Sequence, residues 1–381
     1  MPKRKEWDLS NIKTLCKALG QPQKSFESIH IVGTNGKGST SFYLANILQA
    51  HGVCTGLFTS PHLVDVRERF WLNGKLISQH DFDSILHRVE KAAEAAKIEP
   101  SFFEVLTAVA FVWFKEKKVQ VAVLEAGLGG RLDSTKVAEG RIAAITGIGL
   151  DHTDMLGSTH EQILKEKLGI LKKGATLLLG NLPRNLISKC PKHIKAKKIT
   201  PALQTGNFGK IYAKNAELAC AIAKEFLFSI LHYKFSITAA RTALKASSWP
   251  GRMQIMNNLI LDGAHNPQAA KILVKCLKEK RIPPLPCVFA SLSDKDTQGV
   301  LKALKPHITV CYPMPLETPR ARSVNEISEI CKTLGIKTKP FSKSVIKKSK
   351  TRILATGSLY LVGELLKSEW LFSHYPFTTS H

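Results

Sequence analysis

The chain has 381 residues, which points to two or three domains. With 44% hydrophobic and 22% charged residues it has the composition of a folded globular protein, and no apolar run approaches the roughly 18 residues of a membrane helix, so long disorder and a helical span are excluded. The balance of 55 basic against 30 acidic residues gives a net charge of +25 and favours anionic ligands, but its densest run, Lys343 to Arg352, has no interleaved aromatic pattern for nucleic acid.

The basic N-terminus has no apolar stretch behind it, so no secretory signal is expected. The eight cysteines include no CxxC pair and read as reduced thiols and small core residues, so the expected location is cytoplasmic. In chain order, strands are expected at Ser28–Gly33, Val53–Thr59, Val119–Glu125, Ile142–Gly149, Ala175–Gly180, Leu259–Gly263, Pro286–Leu292, Ile308–Tyr312 and Arg352–Thr356. Helix-like stretches lie between many of them. That alternation is the pattern of an α/β protein with largely parallel sheets. A boundary is expected near Lys245–Gly251, dividing 1–246 from 247–381, with enough chain on each side for a core. The basic stretch Asn181–Lys210 reads as an irregular connection.

The strongest local signal is Gly33-Thr-Asn-Gly-Lys-Gly-Ser-Thr40. It sits between the first expected strand and a helix on which Leu44, Ile47, Leu48 and His51 share a face and which Gly52 can end. Such a loop turns backbone N–H groups toward a phosphate, and the helix N-terminus adds positive potential. Lys37 supplies a charge for the outer phosphates, and Ser39 or Thr40 can reach phosphate or Mg2+. The spacing is not that of the common GxxxxGK[ST] loop, because Gly38 separates Lys37 from Ser39.

Glu125 ends a strand that reads as buried, where a carboxylate faces the ligand crevice of a parallel sheet and can hold Mg2+. Asp151, His152 and Thr153 follow another strand and offer a metal or phosphate site; a structural histidine is the plainer alternative. Ser158-Thr-His-Glu161 fits a capping box, and on the helix behind it Ile163, Lys167 and Ile170 share an apolar face. A lysine there is unfavourable unless it is paired, modified or able to snorkel to water. Further on, Asp262 ends an apolar strand, and Asn266 can cap a helix that has Pro267 at its first position. The loop between them carries His265 to the rim of the sheet, and Arg252 could grip a nucleotide phosphate.

Nine segments then occur in one order: Gly33-Thr-Asn-Gly-Lys-Gly-Ser, Thr59-Ser-Pro-His-Leu, Phe103-Glu-Val-Leu-Thr, Leu128-Gly-Gly-Arg-Leu-Asp, Gly149-Leu-Asp-His-Thr, Glu166-Lys-Leu-Gly-Ile, Trp249-Pro-Gly-Arg, Asp262-Gly-Ala-His-Asn-Pro and Ala355-Thr-Gly-Ser-Leu-Tyr-Leu-Val-Gly. From about Leu15 to Glu364 the chain resembles the folylpolyglutamate synthase/dihydrofolate synthase family of the Mur ligase superfamily. The resemblance implies a phosphate-loop ATPase domain with a mostly parallel sheet over 1–246, and a smaller Rossmann-like domain on the glutamate side over 247–381. It implies ATP-dependent attachment of L-glutamate to dihydropteroate or to folates through an acyl phosphate. The implied cofactors are ATP and Mg2+, with a monovalent cation such as K+ admitted. The implied protein is a monomer without nucleic-acid or membrane partners.

By the same resemblance, Asn35, Gly36, Lys37, Gly38 and Ser39 cradle the ATP phosphates, and Ser60, Glu125 and His152 bind the metal. Lys167 matches a lysine that is carbamylated in the family. Asn215, Arg252 and Asp262 match ATP contacts, and His265 and Ser358 match positions near glutamate. Phe103, Arg131 and Asp133 sit in segments that shape the pterin side. Lys37, Lys167 and His265 are the residues expected to serve catalysis. The chain departs from the family in a short segment before the phosphate loop, a shortened Asn181–Asn215 connection, and Lys136 and Gly147 where Asn and Ser are common. The alternative is another Mur-type amino-acid ligase acting on a non-folate carboxylate.

Overall fold

Strands that are apolar on both faces need cover on both sides, and this requirement organises the whole chain. The computed structural model describes residues 8–190, 195–198, 210–368 and 371. They form two units. One takes the described chain up to Ser247, apart from Leu63–Asp65 and residues 210–211; the other takes those two segments and the described chain from Ser248.

The first unit is built on eight strands: β1 Glu27–Val32, β2 Thr55–Phe58, β3 Phe70–Leu72, β4 Lys75–Leu76, β5 Val121–Glu125, β6 Ile142–Ile145, β7 Thr176–Leu179 and β8 Lys195–Lys198. Their order is β4-β3-β2-β5-β1-β6-β7-β8. The six strands from β2 to β8 in that order pair parallel, and β3 and β4 fold back antiparallel at one edge. The chain leaves β1 toward β2 on one side and later enters β6 on the other. The carboxyl end of β1 is therefore a switch point, where parallel sheets open a crevice.

Helices Ser10–Ala18, Gln79–Ala95 and Phe102–Glu116 bury Leu15, Phe82, Phe111 and Phe114 in a core with Phe58 and Leu124. Helix His160–Leu168 adds Ile163 and Leu164 to Val32, Ile145 and Leu177 in another. Helix Lys37–Ala50 packs on β1, β2 and β5 and on helix Ile237–Ala246, with Leu44, Ile47 and Leu48 fully buried. His51 closes it, its Nδ1 bonded to the Ile47 carbonyl at 2.7 Å, and Gly52 follows in the left-handed region.

The second unit has β9 Gln254–Met256, β10 Leu259–Leu261, β11 Leu285–Phe289, β12 Ile308–Pro313 and β13 Ile353–Thr356, in the order β12-β11-β13-β10-β9. Only the β9–β10 pair is antiparallel. Alternate residues serve opposite faces, as the pleat requires. Ile260, Cys287 and Leu354 join Leu273, Leu301 and Ile327, while their neighbours Leu261, Val288 and Ala355 join Leu361, Val362 and Leu365.

Three sequence expectations are corrected. Ile142–Gly149 is strand only as far as Ile145, because Thr146 turns beneath the loop after β1. The capping box of helix His160–Leu168 is Thr159 with Gln162, not Ser158 with Glu161. Both pairs satisfy the pattern, but Gln162 Oε1 accepts from both the Ser158 and Thr159 N–H groups. Within 181–210, expected to be irregular, the chain forms helix Arg184–Ile187 and β8; 191–194 and 199–209 lie outside the described residues. Strands β3, β4 and β9 were not expected, since two or three residues make no visible apolar run. No helix among the described residues is long and apolar enough to cross a membrane.

Candidate active site

The loop after β1 is shaped by close approach. A Cβ at Gly33 would run into the Thr146 hydroxyl. Gly36 has φ +87°, and a Cβ there would stand 2.7 Å from Asn215 Oδ1. Neither position has room for a side chain, so the loop closes on β6 at one end and on helix Lys210–Ser229 at the other. Thr146 Oγ1 donates to the Asn35 carbonyl at 2.7 Å, and the Thr34 N–H donates to the Gly147 carbonyl at 2.9 Å. Gly36 then begins helix Lys37–Ala50 with no side-chain cap. A helix start without a side-chain acceptor, at the carboxyl end of a central parallel strand, is suited to an anion.

Two lysines meet there. Lys37 Nζ donates to the Gly33 carbonyl at 3.1 Å, and Lys167 Nζ donates to the same oxygen at 3.0 Å. Lys167 is 3% exposed, so it does not snorkel. Burial, with the Lys37 charge beside it, brings its pKa down to about 7 against the pull of Asp151 and Asp133.

Glu125 ends β5 and is buried. Its Oε2 accepts from the Thr59 hydroxyl and from the Ser60 backbone N–H, the latter at 3.0 Å, which brings Ser60 from the end of β2 to Glu125. His152 starts the short helix Thr153–Leu156 in a left-handed conformation. Its N–H donates to Asp151 Oδ1 at 3.0 Å, and its ring Nε2 lies 3.8 Å from the same oxygen.

Phe103 packs against Phe58, ring centroids 5.6 Å apart, and fills the space over Gly127. Asp133 is buried and serves its own loop. Its Oδ2 accepts from the Leu128 N–H at 3.1 Å, and its Oδ1 from the Thr135 N–H and hydroxyl at 3.0 and 2.6 Å. Burial raises its pKa despite these bonds. Arg131 pairs with Glu166 at 2.9 Å on the rim of a pocket of about 210 Å³ that Leu128, Met155 and Leu156 also line.

In the second unit Asp262 follows β10, and Ser358 follows the adjacent β13. Asp262 is buried; its Oδ2 accepts from the Met253 N–H at 2.9 Å and its Oδ1 from the Ala264 N–H at 3.0 Å. Arg252 Nη1 donates to the Gly251 carbonyl at 3.3 Å and lies over Gly263, where a Cβ would meet it at 2.5 Å. His265 Nδ1 donates to the Gly263 carbonyl at 2.9 Å, which sets its tautomer. Ser358 caps helix Leu359–Lys367, its Oγ accepting from the Tyr360 N–H at 3.1 Å. The first unit thus gathers the loop of residues 35–39, Asn215 and Lys167, and joins Ser60 to Glu125. The second gathers Arg252, Asp262, His265 and Ser358 at two neighbouring strand ends.

The Mur ligase middle domain family matches residues 31–260, and the Mur ligase glutamate ligase domain family matches residues 251–359. A dihydrofolate synthase/folylpolyglutamate synthase of Bacillus subtilis is 30% identical over 94% of this chain and 94% of its own length. The chain belongs to the folylpolyglutamate synthase/dihydrofolate synthase family. Among solved structures of that family, the Mycobacterium tuberculosis folylpolyglutamate synthase complexed with ADP and AMPPCP matches with a TM-score of 0.84 at 28% identity, covering 94% of each chain. The bifunctional Yersinia pestis enzyme complexed with AMPPNP and Mn ion matches with a TM-score of 0.84 at 30% identity, covering 96% of this chain and 94% of that one. Like the folylpolyglutamate synthase/dihydrofolate synthase family as a whole, the chain is an ATP-dependent ligase.

A divalent cation is implied for such a ligase, and the donor chemistry fits one. Mg2+ takes oxygen ligands, usually one or two carboxylates completed by phosphate oxygens and water. Glu125 and Ser60, bonded through the Ser60 backbone N–H, bring a carboxylate and a hydroxyl-bearing residue together, with His152 a nitrogen donor after β6. Among the described residues no three His, Cys, Asp or Glu side chains form a cage of their own. Two hydroxyls escaped the sequence reading as site residues. Thr146 holds the phosphate loop and Thr59 holds Glu125, and each directly follows a parallel strand of this sheet.

Proposed function

We propose that this chain joins L-glutamate to dihydropteroate, and to folates as well, acting as a cytoplasmic monomer with ATP held by 1–246 and glutamate served by 247–381. The observation that supports this most is the uncapped helix start at Gly36 with Lys37 and Lys167 sharing the Gly33 carbonyl. In this reading the N–H groups of Asn35, Gly36, Lys37, Gly38 and Ser39 hold the ATP phosphates. Lys37 balances charge on the transferring group, and Asn215, Arg252 and Asp262 contact the rest of the nucleotide. Ser60, Glu125 and His152 hold Mg2+, which when bound supplies further charge neutralisation.

A carboxylate is a poor electrophile. An oxygen of the pterin substrate's carboxylate attacks the γ-phosphorus, and the bond to ADP breaks. The glutamate nitrogen then attacks the acyl carbon. The carbon–oxygen bond breaks, inorganic phosphate leaves, and the nitrogen gives up its proton. His265 stands on the glutamate side with Ser358 to position the amine and take that proton. Phe103 and Arg131 face the pterin, and Asp133 keeps their loop in shape. Lys167 fits a carbamate: its amine is partly neutral at pH 7, and addition to CO2 with loss of a proton converts a buried cation beside Lys37 into an anion.

The test is phosphate release by purified protein with Mg-ATP and L-glutamate, with dihydropteroate and tetrahydrofolate in separate reactions and product masses read in parallel. Release with both, each with a glutamate-sized mass gain, is expected. Release with one alone narrows the activity to that acceptor. Release with neither overturns the folate assignment in favour of a Mur-type ligase acting on another carboxylate.

A further inference from the structure

The opposite end of the eight-stranded sheet holds a second pocket, of about 580 Å³. It is walled by Glu27 and Ser28 at the start of β1, by Arg141 just before β6 and by Lys172 before β7. The phosphate loop lies at the other end of β1, about 20 Å away along its six residues. Nothing in the proposed ligase chemistry uses this end.

Five cationic side chains line the pocket against two carboxylates. Both carboxylates are engaged. Arg141 grips Glu27 with two bonds of 2.6 and 3.2 Å, and Lys172 pairs with Glu139 at 3.1 Å. Of the remaining three, Lys17 and Lys24 have no carboxylate partner among the described residues, while Lys13 has the exposed carboxylate of Asp8 nearby. Lys13 and Lys17 stand one turn apart on helix Ser10–Ala18, a like-charge pair that is unfavourable without an anion between them. Gln23 is nine-tenths buried in the same wall, and its amide oxygen has no hydrogen-bond partner.

We propose that this pocket is a second anion site, taking a small ligand with two or more phosphoryl groups. Its volume is that of a small-molecule site. Lysine ammonium groups act as point charges that can meet several phosphate oxygens at once, and Arg141 is already held by Glu27, so the three lysines are the charges left for a ligand.

Calorimetric titration of inorganic pyrophosphate into the full chain, saturated beforehand with Mg-AMPPNP, tests this. One further site is expected. Each of Lys13→Ala, Lys17→Ala and Lys24→Ala weakens it about tenfold, the effect of one charge-assisted hydrogen bond. Lys305→Ala, outside the pocket, leaves it unchanged. All three pocket lysines are exposed, so the variants keep their fold, which a circular-dichroism melt verifies. Absence of the further site overturns the proposal. So does a site that survives the three substitutions, one that is lost with Lys37→Ala instead, or one that citrate fills as tightly as pyrophosphate at equal ionic strength.

Discussion

The turn at residues 33–37 follows β1 and the turn at residues 262–267 follows β10, and each carries a strand into a helix. In the second turn the backbone is satisfied from within. Asn266 accepts from the Ala269 N–H, Pro267 removes one donor, and Asp262 accepts from two N–H groups. In the first, Gly36 offers no side-chain acceptor, and Lys37 and Lys167 bring cations to one carbonyl. The first turn is short of acceptors and invites a phosphate. The second uses its polar atoms to fix the Met253 and Ala264 backbone and to orient His265. An asparagine or glycine near a helix start therefore says little alone; whether the cap is filled decides what the helix end does.

The contrast can be broken by mutation. Lys37→Ala should lower turnover by about 10³-fold, as for loss of a group that stabilises developing charge, with the circular-dichroism melt unchanged. Wild-type rates would remove the first turn from the chemistry. Glu125→Ala should lower turnover by about 10²-fold or more. Glu125→Gln keeps an acceptor for Thr59 and Ser60 but not the charge, so equal losses in both variants would assign the effect to charge. Asn266→Ala should lower stability by about 1 kcal/mol, read from the urea midpoint, and leave nucleotide affinity nearly intact. A large loss of nucleotide affinity there would mean that the second turn is itself a phosphate site.

The smallest effect concerns Lys167. Its pKa in the folded protein, about 7, lies below the ordinary 10.5. Between those values the unfolded chain binds more protons, so this residue makes stability rise with pH. Relative to Lys167→Met, the wild type in bicarbonate-free buffer should gain about 0.5–1 kcal/mol from pH 7 to pH 8, again from urea midpoints. A difference that stays flat over that range would show that the amine is not perturbed by burial.

Much of this was legible in one dimension. The apolar runs at β5, β7 and β13 stood out because strands covered on both faces are largely hydrophobic. Gly33, Gly36 and Lys37 stood out because few structures other than a phosphate loop call for them together after a strand. The short edge strands β3, β4 and β9 were not legible, since pairing rather than side-chain pattern makes them. Nor were the supporting hydroxyls. Thr59 and Thr146 are ordinary threonines until the sheet sets β2 beside β5 and β6 beside β1.

By itself the sequence determined the α/β alternation, the helix starts marked by Gly36, Asn266 and Pro267, and a family resemblance carried by nine short segments, because these depend on residues near one another in the chain. Only the tertiary structure decided what became of Lys167. An apolar helix face places it in a core, but whether it reaches water depends on what covers that face. Here it meets a carbonyl 134 positions earlier, beside a second lysine. Burial and proximity of that kind are properties of packed elements, and they turn a lysine of ordinary spacing into one that is half neutral near pH 7.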